Sequence, residues 1–133
     1  MNPTRAGLAR AYERAVYLAD LPEGPVEFRL QAVPKGPAPA GSLAIITAWN
    51  PGTERPTEAA NAEANRRLEE ALKSSGRPYY AALGRSEDGT HVEPSFAIVD
   101  IDPPSALGLA REFRQAAVFY WDGSAARLLW CEG

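Results

Sequence analysis

The stretch from Ser42 to Asn61, SLAIITAWNPGTERPTEAAN, decides how this chain is read. Its first part, LAIITA (43–48), does not alternate between apolar and polar positions, the pattern of a strand covered on both faces and therefore central in a sheet. The run breaks at Trp49-Asn50-Pro51-Gly52. It reopens at Thr57, whose hydroxyl is placed to cap a helix reaching about Ser75, where Gly76 supplies the stop. A buried strand that feeds a helix predicts an α+β, α/β-like sheet with helices packed on it. It also raises the question of why the strand ends on a tryptophan and an amide.

Upstream, Thr4 is placed to cap a first helix that carries Leu8, Tyr12, Ala15, Val16 and Ala19 on one face and ends near Leu21-Pro22. VEFRLQA (26–32) alternates cleanly and predicts an edge or near-edge strand with one wet face. The Pro/Gly-rich VPKGPAPAGS (33–42) is too short for a domain boundary and reads as a mobile hairpin loop. Downstream, PYYAALG (78–84) and EPSFAIVDI (93–101) read as strands joined through the Asp88-Gly89 turn. A third helix starts after Asp102, with prolines in its first turn and Leu107, Ala110 and Phe113 inward, and a last hairpin turns at Asp122-Gly123. The expected order is α-β-β-α-β-β-α-β-β in a single domain, 1–133. The expectation is a six-stranded mixed sheet with three helices, because helix crossovers join parallel strands and hairpins antiparallel ones.

With 133 residues, 45% of them hydrophobic and 23% charged, the chain has the balance of one globular domain with a real core. A net charge of −3, from 14 Lys and Arg against 17 Asp and Glu, offers no excess of cations for nucleic acid or an anionic membrane. The single cysteine, Cys131, forms no disulfide within the chain, and a single histidine, His91, argues against a zinc site; no metal or cofactor is expected. No stretch approaches the roughly 18 apolar residues of a membrane span, and the N-terminal residues lack the apolar core of a signal peptide, so the expected location is the cytoplasm. The 12 prolines and the preference for Arg over Lys fit either a thermophile or a GC-rich genome.

Polar residues stand where apolar ones belong. Stepping back along the second helix from Leu72 and Leu68 by helical intervals leads to Asn65 and Asn61, so its inner stripe continues as two amides toward the carboxyl end of strand 43–48. Open α/β sheets form their ligand crevices at such ends. Glu93 and Ser95 lie two apart on one strand face, and Pro94 between them either breaks a ladder position or marks an edge or a bulge. Gln115 sits at a helix-to-strand corner. Each residue also has an ordinary use: Asn50 as a turn former, the amides as partners of stray backbone groups, and Glu93 as a solvent-facing strand end. Arg55, near the helix start, is a candidate anion contact opposed by Glu54 and Glu58.

Four ordered stretches, ITAWNP, NAEANRRL, EPSF and FRQAAVFYW, resemble in order and spacing the uncharacterised bacterial family called domain of unknown function 3293. The resemblance covers about Leu43 to Trp121. It places Thr47, Asn50, Pro51, Asn61, Asn65, Glu93, Ser95, Phe96 and Gln115 on the family's motif positions, and implies their grouping but no reaction. Two expectations stand side by side. In one, a small polar metabolite binds at the end of strand 43–48, read by Thr47, Trp49, Asn50, Asn61, Asn65, Ser95 and Gln115, with Glu93 as the candidate catalytic or amine-orienting carboxylate. In the other, the same residues form a structural network in a non-catalytic interaction domain. Its partner would be another protein, or a second copy in a homodimer joined along an edge strand or the last hairpin, where VFYW and LLW supply apolar surface.

Overall fold

The structure, a computed structural model, describes residues 5–51 and 54–131. The expected cap Thr4, the side chain of Leu8 and Gly52 lie outside the described residues. Helices α1 (Arg5–Arg14), α2 (Glu58–Ser75) and α3 (Pro103–Glu112) accompany strands β1 (Val16–Leu21), β2 (Gly24–Phe28), β3 (Leu43–Ile46), β4 (Tyr79–Arg85), β5 (Val92–Val99), β6 (Ala117–Trp121) and β7 (Ala126–Trp130). They form one seven-stranded sheet in the order β2-β1-β4-β5-β3-β6-β7.

Two expectations are corrected here. The first helix does not run to Leu21: it ends at Arg14, and Val16–Leu21 is a strand, so the sheet has seven strands and not six. Spacings that put Tyr12, Val16 and Ala19 on one helical face arise equally in a short apolar run, and here pairing on both sides decides. β1 bonds to β2 across a tight turn, with Leu21 opposite Gly24, and to β4 on its other edge. The β-branched and aromatic pair Val16-Tyr17 favours that outcome.

The sheet is also not mixed, for every ladder among the described residues is antiparallel. The crossover helices do join parallel strands, as physics requires, but the parallel strands are never neighbours. α2 carries the chain from β3 to β4 with β5 returning between them, and α3 carries it from β5 to β6 with β3 between. β3-α2-β4-β5-α3-β6 is therefore a β-α-β-β-α-β unit of ferredoxin-like strand order. The β1–β2 hairpin widens it beyond β4, and β7 beyond β6.

Both α2 and α3 cover the same face. Leu68 and Leu72 of α2, with Ala106 and Ala110 of α3, pack on Ala44, Ile46, Ile98, Val118 and Tyr120. Thr57 caps α2 by accepting from the Ala60 amide, and Gly76 closes it in the left-handed conformation. Asp102 caps α3 by accepting from the Ser105 amide. Neither α2 nor α3 covers the opposite face; there the sheet curls onto itself, with α1 at one end. Phe28 on the β2 edge brings its ring to 5.3 Å from Phe119 and 5.5 Å from Trp121 on β6, and Tyr17 stacks on Phe119 at 4.5 Å. Leu43, Ile45, Ala97 and Val26 complete this inner core. β3, central as expected, is buried along its whole length because it faces both cores.

The loop between β2 and β3 closes one end of the curl. Lys35 pairs with Glu27 of β2 through two backbone bonds, and Pro39 accepts from the Trp121 indole at 2.8 Å. α1 lies at the other end. Its Tyr12 meets Trp130 of β7 edge to face at 5.7 Å, and the Tyr12 carbonyl accepts from the Tyr17 hydroxyl at 3.2 Å. VFYW, expected to offer interface surface, is fully buried in β6.

Candidate functional site

β3 and β5 pair as far as Ile46 opposite Phe96, and beyond that point the two chains separate. Thr47 and Asn65 fill the gap. Asn65 is nearly buried; its Oδ1 accepts from the Ala48 amide at 2.7 Å, and its Nδ2 donates to the Pro94 carbonyl at 2.8 Å. The side-chain amide thus replaces a peptide group between two strands that can no longer reach each other. Thr47 Oγ1 donates to the same carbonyl at 2.7 Å and accepts from the Trp49 amide at 3.0 Å.

One helical turn earlier, Asn61 holds Asn50 at two points: Oδ1 accepts from the Asn50 backbone N–H at 2.8 Å, and Nδ2 donates to Asn50 Oδ1 at 2.9 Å. Asn50 has a φ of 47°, the left-handed region that asparagine tolerates better than other residues with a side chain. Gln115 fastens the loop from the third side, donating to the Trp49 carbonyl at 3.3 Å and to that of Phe113 at 3.4 Å. Ser95 is buried and donates to the Glu93 carbonyl at 3.0 Å. Among the described residues no buried side-chain nitrogen or oxygen lacks a partner. The expected residues do converge, and Thr47, Asn61, Asn65, Ser95 and Gln115 are engaged with backbone or with one another.

The loop so held projects Trp49 and Asn50 toward an open cleft of about 870 Å³ at the α1 end of the curl. Its floor is a row across three strands. Tyr17 of β1 stands opposite Gly84 of β4, and Gly84 opposite Glu93 of β5, so all three share one face. A Cβ at Gly84 would touch only the Tyr17 ring, at 3.7 Å. The glycine therefore leaves the space between the ring and the carboxylate free of any side chain of its own. Tyr12 of α1 and Trp49 add aromatic walls; Arg14, Arg55 and His91 stand among the residues around it.

Glu93 is a half-buried charge in this cleft, as is Arg85. Its hydrogen-bond donor among the described residues is Asn50 Nδ2, at 3.3 Å, and no cation there comes within ion-pair distance. Burial pushes its carboxyl above the usual glutamate value; the Asn50 hydrogen bond and the charges of Arg55 and His91 pull the other way. Burial also raises Tyr12 and Tyr17 far above the ordinary tyrosine value, and the negative charge of Glu93 adds to both. Each hydroxyl therefore stays protonated. Asp88, in the β4–β5 turn, is held down at about 2 by bonds from Thr90 and Ser86, and is occupied by that turn.

Tyr12, Tyr17 and Gly84 were not among the expected site residues. Recognising Pro22-Glu23-Gly24 as a hairpin turn would have turned 16–21 into a strand, but no local signal aligns Tyr17 with Glu93. That alignment comes from strand pairing alone. Among the described residues, no three His, Cys, Asp or Glu side chains are grouped to hold a metal ion, and no helix is long and apolar enough to cross a membrane.

No curated protein and no solved structure matches the chain. Residues 46–118, which lie within the β3–β6 unit and include Thr47, Asn50, Asn61, Asn65, Glu93 and Gln115, match the family described as "Protein of unknown function (DUF3293)", and the chain belongs to that family.

Proposed function

We propose that this protein binds a small polar ligand in the cleft beneath α1, with Glu93, Asn50 and Trp49 as the contacting residues. The observation that carries the reading is Glu93: a half-buried carboxylate at the cleft floor that holds one hydrogen bond, at 3.3 Å, among the described residues. Taking a carboxylate partly out of water without a counter-charge is costly, and sites that do so commonly use the group. The amides of Asn61, Asn65 and Gln115, with Thr47 and Ser95, act behind the cleft. They hold the Trp49-Asn50 loop in a strained conformation whose benefit lies in where it puts these two side chains. The mouth of a curled sheet is a usual place for such a pocket.

In this reading Glu93 accepts a hydrogen bond or a proton from the ligand, and Trp49 stacks on a flat part of it. Ser95 is tied to the Glu93 carbonyl, which favours binding over nucleophilic chemistry. A thermal-shift screen of polar metabolites on the wild type, Gly84→Val and Glu93→Gln tests the site. Compounds that stabilise the wild type should lose their effect in both variants. Equal shifts in all three proteins would place binding elsewhere and sink the proposal.

A further inference from the structure

Resting on the cleft reading above, we infer that the ligand is a zwitterion, a primary amine and a carboxylate on one small frame, of which a free α-amino acid is the simplest case. The cleft is lined by charges of both signs, Glu87, Asp88 and Glu93 against Arg14, Arg55 and Arg85. At its floor Glu93 is a half-buried carboxyl group without a cationic partner among the described residues. Tyr12, Tyr17 and Trp49 line the same space, so a protonated amine there meets a carboxylate and aromatic rings together, the combination that selects ammonium groups over water. Tyr17 stands in one cross-strand row with Glu93, with only Gly84 between them, and Tyr12 lines the same cleft.

Arg55 lines the same cleft, exposed and outside ion-pair distance of Glu93. One of its nitrogens donates to the Glu54 carbonyl at 2.7 Å, which leaves other donors of the guanidinium fork for a carboxylate. Glu54 itself is engaged with Arg114 and does not neutralise Arg55 through its side chain. A carboxylate and a guanidinium that line one cleft without pairing with each other would hold the two ends of a dipolar molecule. A simple amine would satisfy only the floor, and a simple acid would be repelled there.

Titration calorimetry with the free L-amino acids, their N-acetyl derivatives and their decarboxylated amines tests this on the intact chain. At least one amino acid should bind saturably, its N-acetyl form should lose all measurable binding, and its amine should bind at least tenfold more weakly. Arg55→Gln, at an exposed position, should narrow the gap between the amino acid and its amine. Glu93→Gln, which removes the ammonium partner, should abolish measurable binding of the free amino acid as N-acetylation does. If N-acetyl and free forms bind alike, and Gly84→Val abolishes both, the cleft reading stands and the zwitterion does not. If no amino acid binds, the zwitterion is overturned whatever the metabolite screen finds at the cleft.

Discussion

Asn65 does at one residue what a strand does along a ladder: it accepts from Ala48 and donates to Pro94 where β3 and β5 part. Asn65→Ala leaves the buried Ala48 N–H without a partner, while the Pro94 carbonyl keeps Thr47 Oγ1. The expected cost is about 1–3 kcal/mol in urea denaturation, the penalty of one stranded buried donor. Glu93 behaves oppositely. Its folded-state carboxyl titrates above its unfolded value, so the native state binds the proton more tightly. Stability from this group therefore falls as pH rises from the ordinary glutamate value through the raised folded one. Glu93→Gln keeps an acceptor for Asn50 and abolishes the charge. Its melting temperature should exceed that of the wild type at pH 7, and the difference should vanish below about pH 4, the ordinary glutamate range. A variant less stable than wild type at neutral pH would mean that Glu93 belongs to the structural network with Asn65.

At the scale of elements, the region between β2 and β3 is Pro/Gly-rich yet fastened. Gly123, in the β6–β7 turn, has a φ of 102°, and a Cβ there would lie 2.3 Å from the Ala40 carbonyl oxygen. Gly123→Ala meets both a forbidden backbone and a hard contact, so it should destabilise by about 1–3 kcal/mol. It should also move the indole N–H resonance of Trp121, whose bond to Pro39 depends on the same approach, and leave Trp49 unchanged. Retention of the Trp121 resonance would separate the turn from the loop. Helix α2 was readable in full because its cap, stripe and stop are local: Thr57, Leu68 and Leu72, and Gly76 at φ 73°. Helix α1 was overextended because Val16 and Ala19 fit its period, and only pairing with β2 and β4 turned them into strand.

The whole molecule has two cores on opposite faces of one sheet. Phe28 belongs to the inner one, closed by curling, and Leu72 to the outer one, under α2 and α3. Each truncation to alanine should cost about 2–5 kcal/mol. Since the two side chains share no partner, the double variant should equal the sum within about 0.5 kcal/mol by denaturant unfolding. A larger departure would show that the curl, and not each packed face, is the unit that melts.

The sequence by itself determined the Thr57 cap and Gly76 stop of α2, the buried run at β3, the turns at Asp88-Gly89 and Asp122-Gly123 and the inward amides of α2, because these rest on periods and turn chemistry within a few residues of one another. It also grouped Asn50, Asn61, Asn65, Glu93 and Gln115. What it left open was whether those groups were spent on the chain or available to a ligand. Tertiary structure divided them. Hydrogen bonds spanning 11 to 66 residues engage Asn61, Asn65 and Gln115 with the Trp49-Asn50 loop and Pro94. The Tyr17–Gly84–Glu93 row exists only because strands far apart in the chain pair in one register. Local patterns encode which face a residue takes; which distant residue shares that face is settled by pairing and by the curl of the sheet on the face that α2 and α3 do not cover.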